Sequence, residues 1–393
     1  MTTSEAGAEP QGVAVRVVSR IDEIDAAAWD ACAGDEDPFV SHAFLHALEE
    51  SGSASADEGW LPQHLVIEGA DGRIAAVAPT YVKGHSYGEY VFDWSWASAY
   101  RRAGIEYYPK LQCCVPFSPV GGSRLLVRPD ATEVPYRRVL LAAMVEMTVQ
   151  SDLSGAHMTF CTEEEYDLAG ELGLLQRTGT QYHFFNEGYE SYDDFLAALL
   201  GRKRKVIKRE RREAQSCGAT VRAITGDELR PEHWEAFYGF YLSTIDRKWA
   251  SPYLTKDFFF RIGETMPERI VLMLAEQDGQ PVAGALNLLG KKALYGRYWG
   301  SSADHKFLHF ETCYHRAIEL AIELGLERVE AGAQGQHKIQ RGYVPVPTYS
   351  AHFIVHPKFR RAIDDFLQHE RQALAEERRA LMAQSPFREH RAR

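Results

Sequence analysis

Hydrophobic and polar positions alternate over GVAVRVVS, which predicts a strand, and Ile21, Ile24, Ala28 and Trp29 then recur at helical spacing. SHAFLHALEESG predicts a second helix with Ser41 as its cap. HLVIEG and RIAAVAPTYV flank Ala70-Asp71-Gly72, the composition of a hairpin turn. A long aromatic stretch from His85 to Lys110 follows. CCVPFSPVGGSRLLV reads as a strand region with a turn, YRRVLLAAMVEMTVQ as an amphipathic helix, and AHMTFC as a strand. EEEYDLAGELGL is a short helix and LQRTGTQYHFFN a last strand.

The second half runs through the same order. DDFLAALLGRKRKVIKRERREAQSCG predicts a helix ending at Gly218, ATVRAIT a strand, and HWEAFYGFYLSTIDRK and KDFFFRIGETM two helices. ERIVLMLAE and PVAGALNLLG form a hairpin around Asp278-Gly279, and ALYGRYWGS adds a third antiparallel strand. FLHFETCYHRAIELAIELGL is a helix with Phe310, Tyr314, Ala317, Ala321 and Leu324 on one face. ERVEAGA and TYSAHFIV are strands, and PKFRRAIDDFLQHERQALAEERRAL is the closing helix. Strand, one or two helices, a three-strand meander, helix, strand, helix, strand, twice over, predicts two mixed α/β domains. Their expected bounds are a disordered lead-in over 1–12, a first domain over 13–187 and a second over 188–375. The second carries a basic helix at 197–217, and 376–393 is left as helix end and tail. No identity between the halves is visible; the repeat is one of topology.

Totals narrow the class. With 393 residues there is room for two cores, and 45% hydrophobic with 25% charged residues is a globular balance. No apolar run approaches the ~20 residues of a membrane helix, and the polar, acidic N-terminus lacks a secretory signal. A cytoplasmic protein without membrane insertion is expected. The six cysteines have no metal-ligand spacing, so free buried thiols and no metal are expected. A net charge of −11 argues against coating nucleic acid but leaves room for a local basic patch.

Such a patch exists. Arg202 to Arg212 holds eight cations in eleven residues, with Val206 and Ile207 left for the core. Lys203, Arg204, Lys205, Lys208 and Arg209 suit a phosphate-bearing ligand such as a tRNA acceptor stem, against the plainer alternative of a solvated helix. The densest candidate site is EAGAQGQHKIQRGY, a glycine-rich loop after a central strand. Glu330 or His337 is a candidate base, and Lys338 and Arg341 are candidates to hold a phosphate or a developing oxyanion. Gln334 and Tyr343 complete that loop, and Arg297, Tyr298 and Trp299 lie on the neighbouring strand, where Tyr298 and Trp299 must face opposite ways. His309 and Glu311 near a helix start are further candidates for the cleft, whereas His305, His309 and His315 lack a metal motif. Asp93, Trp94, Trp96 and Lys110 in the aromatic stretch suit either a pocket for a sugar, peptide or base, or core between the halves.

The runs GEYVFDWSWA, YYPKLQCCVPFSPV, RKRKVIKRERR, YGRYWG and EAGAQGQHKIQRGY resemble the FemAB-like peptidoglycan-biosynthesis family over about residues 15 to 375. That resemblance implies two tandem acetyltransferase-type (GNAT) domains, a cleft between the strands YGRYWG and EAGAQG, and amide formation by an amine attacking an activated acyl group. FemX-like members use aminoacyl-tRNA as co-substrate and no bound cofactor; ordinary GNAT enzymes use acyl-CoA. The loops expected to cradle a CoA pyrophosphate, SSADHKFLHF and RPDATEVPYRR, lack the glycines for close backbone approach. The expected reaction is therefore aminoacyl transfer to a small-molecule or peptide amine. An N-acetyltransferase using acetyl-CoA and a non-catalytic binding module are the alternatives.

Overall fold

A computed structural model describes residues 13–246, 251–333 and 335–388. The expected lead-in, the last five residues and Gln334 lie outside them. The first half contributes strands β1 (Val15–Val18), β2 (Trp60–Pro62), β3 (His64–Glu68), β4 (Ile74–Ala78) and β5 (Thr80–Lys83). It continues with β6 (Lys110–Cys113), β7 (Leu126–Val127), β8 (Gly155–Cys161) and β9 (Leu175–Phe185). The second half contributes β10 (Thr220–Ile224), β11 (Ile270–Gln277), β12 (Gln280–Leu289), β13 (Ala293–Ser301), β14 (Arg328–Glu330) and β15 (Val344–Ile354).

The fold is mixed α/β, and local chemistry sets many of its turns as expected. Ser41 Oγ accepts from Phe44 N–H at the start of its helix. Asp278 and Gly279 both take positive φ, the geometry that a two-residue hairpin demands. The helix expected over DDFLAALLGRKRKV is two, Tyr192–Ala198 and Gly201–Gln215, because Leu199 and Leu200 are extended between them. In the basic helix Val206 is 36% exposed, and Ile207, Glu210 and Ala214 turn inward instead. The aromatic stretch contains a helix, Trp94–Arg102.

Strand order departs from two separate sheets. A four-stranded sheet runs β1-β3-β4-β7, and an eleven-stranded sheet runs β10-β11-β12-β13-β14-β9-β15-β8-β6-β5-β2. At its centre each half lends its last strand to the other. β9 pairs antiparallel with β14 and β15, and β15 lies between β9 and β8. The VPVP start of β15 does not read as strand in the sequence, since proline cannot donate to a ladder. It is tolerated because β8 joins only from Tyr349 onward, so Pro345 and Pro347 lie where β15 has a single neighbour. One hydrophobic core crosses the halves, joining Trp29, Phe39, Phe44 and Phe117 to Phe237, Phe258, Phe259 and Tyr295.

Two buried polar devices brace the first half. Glu165 accepts from the backbone N–H groups of Arg124, Leu125 and Thr162 and from Ser123 Oγ, replacing ladder bonds the loop lacks. His157 on β8 and His352 on β15 are register partners whose Nδ1 atoms lie 2.8 Å apart. One ring must donate and the other accept, so at least one is neutral. Burial pushes His157 down to about 3, helped by the Lys110 charge; burial and the His157 and Arg177 charges hold His352 well below its ordinary value. Unfolded histidine titrates near ~6.5, so below that pH the unfolded chain binds protons that the fold refuses. Stability contributed by this pair is thus complete above ~6.5 and falls as the pH is lowered toward 3. Denaturant titrations at pH 7 and 5 should show His157→Gln losing less stability per pH unit than wild type, by about 1.4 kcal/mol per proton. Identical slopes would remove the pair from the acid response.

Candidate active site

β13 and β14 run parallel and pair only over Ala293–Tyr295 and Arg328–Glu330. Beyond that point β13 follows β12 to Ser301, while Ala331 and Gly332 stay with Tyr182 of β9 through two backbone bonds of 3.1 Å. The sheet therefore opens between them, as the resemblance implied. A short 3-10 turn, Gln336–Arg341, follows the opening, between Gly335 and Gly342, both at positive φ.

This turn carries Lys338. Its ammonium donates to the carbonyls of Ala331 at 2.5 Å and Gly332 at 3.3 Å, and it lies about 6 Å from the Tyr182 and Tyr314 rings. Lys338 is buried, has no carboxylate partner among the described residues, and burial brings its pKa down to about 8. His337 is exposed beside it, with Nε2 3.2 Å from the Tyr314 hydroxyl and its ring against Phe310. Partial burial and the Arg341 and Lys338 charges lower its pKa, so the imidazole is neutral near pH 7. Arg341 faces away: it donates to Glu210 Oε2 at 2.8 Å and to His337 O, and stacks 3.5 Å over the Phe310 ring. Tyr343 is fully buried, its hydroxyl on Tyr314 O.

Glu330 sits apart from Lys338 in a buried knot at the seam of the halves. Arg328 Nε donates to Glu330 Oε1 at 2.8 Å, and His183 Nε2 is 3.6 Å from Oε2, which has no hydrogen-bond partner among the described residues. Asp37 from the first half belongs to the same knot; burial pushes it up to about 6 against the pull of Arg124, with Glu330 raising it further. No sequence signal points to Asp37, which accepts from Phe39 N–H nearby while Arg328 and Glu330 of the knot lie almost three hundred residues further along the chain. Tyr314 and Phe310 also escape a reading of the sequence as site residues, because helical spacing makes such rings core.

The remaining candidates disperse. Arg297 NH2 and Tyr298 OH both donate to Phe117 O, at 2.7 and 3.0 Å, tying β13 to the first half. Trp299 faces the opposite side, 5.1 Å from the His309 ring. Glu311 is buried in a forked ion pair with Arg211, within a π-helical turn, Glu311–His315, that interrupts the helix. His305 bonds Gln277 and His315 bonds Tyr192. On the basic helix Lys203 bonds Gln340 of the Lys338 turn, Lys208 pairs with Asp193 at 3.2 Å, and Arg204 is half-buried. Arg202, Lys205, Arg209 and Arg212 are exposed and enter no ion pair with a described residue. Asp93 and Lys110 form a buried pair in the first half, Trp96 is buried against His352, and Trp94 is exposed. No helix among the described residues is long and apolar enough to cross a membrane.

Comparison with known proteins gives this geometry its context. No curated protein sequence matches the chain. Among solved structures, FemX shares 13% identity at a TM-score of 0.55, covering 87% of this chain and 98% of its own. The C-terminal domain of a putative lysylphosphatidylglycerol synthetase from Agrobacterium fabrum shares 10% at 0.54, covering 86% and 95%. L-PGS from Bacillus licheniformis shares 11% at 0.51, covering 85% and 98%. These are similarities of fold, and each extends over both halves of the chain. The model of the FemAB-like family, described as peptidoglycan biosynthesis or recognition, matches residues 20–389, so the chain belongs to that family.

Proposed function

We propose that the protein transfers an aminoacyl group from the ester of an aminoacyl-tRNA to an amine acceptor, such as a cell-wall precursor or small metabolite, in the cytoplasm. The observation that carries this reading is Lys338: a buried cation without a carboxylate partner among the described residues, at the point where two central strands part. An amine attacking an ester carbonyl generates an oxyanion and then an alkoxide leaving group, and a desolvated ammonium stabilises both. The acceptor must first lose a proton, and His337 is neutral, exposed and one residue away. Glu330, tied to Arg328, is the weaker candidate for that role. No bound cofactor is required, and proximity in a ternary complex supplies much of the remaining acceleration.

The exposed cations of the basic helix support a tRNA donor over acyl-CoA. Lys203 joins that helix to the Lys338 turn through Gln340, so a polyphosphate ligand on its outer face would lie alongside the opening. A variant with Arg202, Lys205, Arg209 and Arg212 changed to glutamine should bind tRNA more weakly. Its salt dependence should flatten by about 0.7 to 0.9 in log–log slope for each phosphate that is no longer neutralised. Unchanged slope would reduce the run to a solvated face. The reaction itself is tested by incubating the protein with a mixed pool of radiolabelled aminoacyl-tRNAs and candidate amines. Label retained in a hydrolysis-resistant amide supports the reading; tight acetyl-CoA binding by calorimetry, with acetylation of the amine, replaces it by the acetyltransferase alternative.

A further inference from the structure

An aromatic platform that this chemistry does not use projects from the first half. Tyr87, Phe92 and Trp94 are 55%, 58% and 41% exposed within eight residues of chain. Large rings exposed together mark a surface that something covers. The Tyr87 and Trp94 rings meet edge to face at 4.8 Å, which presents the indole as a fixed wall. That wall bounds a pocket of about 500 Å³ completed by Ile105, Tyr107 and Tyr108, with Ser98, Arg101 and Glu106 as its polar groups. Arg101 and Glu106 are exposed, and neither is ion-paired to a described residue; Arg101 makes a long bond of 3.4 Å to Ser98 Oγ.

The platform is braced from beneath at unusual cost. Lys110, fully buried, donates to Glu89 at 2.7 Å, to Asp93 at 2.5 Å and to Ser86 Oγ at 3.0 Å. Ser86 Oγ in turn bonds the Tyr108 hydroxyl at 2.8 Å, and Tyr107 OH donates to Asp93 at 2.7 Å. Apolar packing could hold the same loop without burying three charges. What the ion network adds is direction: it fixes both ends of segment 86–93 and both tyrosines of the pocket, so that Trp94 and Tyr108 are set before any ligand arrives.

The pocket's chemistry selects among ligands. Its walls are flat and apolar, and its polar groups are one planar cation, one planar anion and one hydroxyl. A pyranose has this complementarity: a C–H face to lie on indole, and neighbouring hydroxyl groups that a guanidinium and a carboxylate can each take in pairs. Opposite charges at the rim leave no net attraction for a phosphate or a free carboxylate. We propose that this pocket binds a neutral pyranose unit of a glycan, stacked on Trp94 and held through Arg101 and Glu106. It stands on the pocket alone and survives or fails independently of acyl transfer.

The test is calorimetric titration of the full chain with chitobiose, cellobiose and maltose, with uridine monophosphate as the stacking control. At least one disaccharide should bind. Trp94→Ala should weaken it by about tenfold or more, Trp94→Tyr by less, and Arg101→Gln and Glu106→Gln each by about three- to tenfold. These side chains are exposed, so the thermal transition should not move, and lost binding is not lost folding. No binding by any of the three at tens of millimolar, or binding indifferent to Trp94→Ala, overturns the proposal. Uridine monophosphate binding more tightly than every disaccharide overturns it too, in favour of a base.

Discussion

Lys338→Met should lower the turnover of aminoacyl transfer by about 10²- to 10³-fold, the range for removing one preorganised charge from an oxyanion site, and leave the thermal transition near that of wild type. Methionine keeps the length and apolar stem of the side chain. It removes only the ammonium, whose hydrogen bonds go to two carbonyls, and no carboxylate among the described residues is stranded by its loss. The pH profile separates catalysis from a structural role. Burial brings the ammonium down to about 8, so wild-type turnover should fall as the pH rises through that value. On the acid side it should fall only below the ordinary histidine range, because His337 is itself lowered. His337→Ala should then remove the acid limb, while Glu330→Gln should affect stability before turnover. Full turnover in Lys338→Met, or an unchanged alkaline limb, would place the chemistry elsewhere.

Much of this site is legible in the sequence, and the part that is not has a physical reason. Lys338 and His337 are visible because glycines on both sides of a short polar segment, after an apolar strand, signal a constrained loop at a strand end. The opening of the sheet follows from the resemblance. Arg341 and Glu311 are equally polar and equally near, yet each is held by a charge on the basic helix, Glu210 and Arg211. Nothing in a run of cations shows that its single glutamate and one of its arginines turn inward. The aromatic stretch can be read as pocket or as core, and its rings divide between the two surroundings: Trp96 packs on the shared histidines while Trp94, two residues earlier, faces solvent.

Strand pairing is the least legible feature, because a strand's own pattern tells which face is buried and nothing about its neighbours. This bears on the expectation with the widest consequence: neither half should fold alone. Residues 1–187 without β15 leave β8 unpaired along six register positions and β9 along nine. Residues 188–393 without β9 separate β14 from β15, so the sheet loses its middle and the Lys338 turn loses the strand that holds Ala331 and Gly332. The shared core would also be cut, exposing Trp29, Phe39 and Phe44 on one piece and Phe258, Phe259 and Tyr295 on the other. Open edges and bared aromatic surface of this size lead to aggregation. Each piece expressed alone should therefore be insoluble or lack a cooperative unfolding transition, whereas co-expression should yield a soluble complex, since the break at 187/188 falls between β9 and the next helix. A chain stopped before Val344 should fail in the same way, although it keeps the whole Lys338 turn. A cooperative transition in either isolated half, near the midpoint of the intact chain, would show that the exchanged strands are an ornament on two self-sufficient domains.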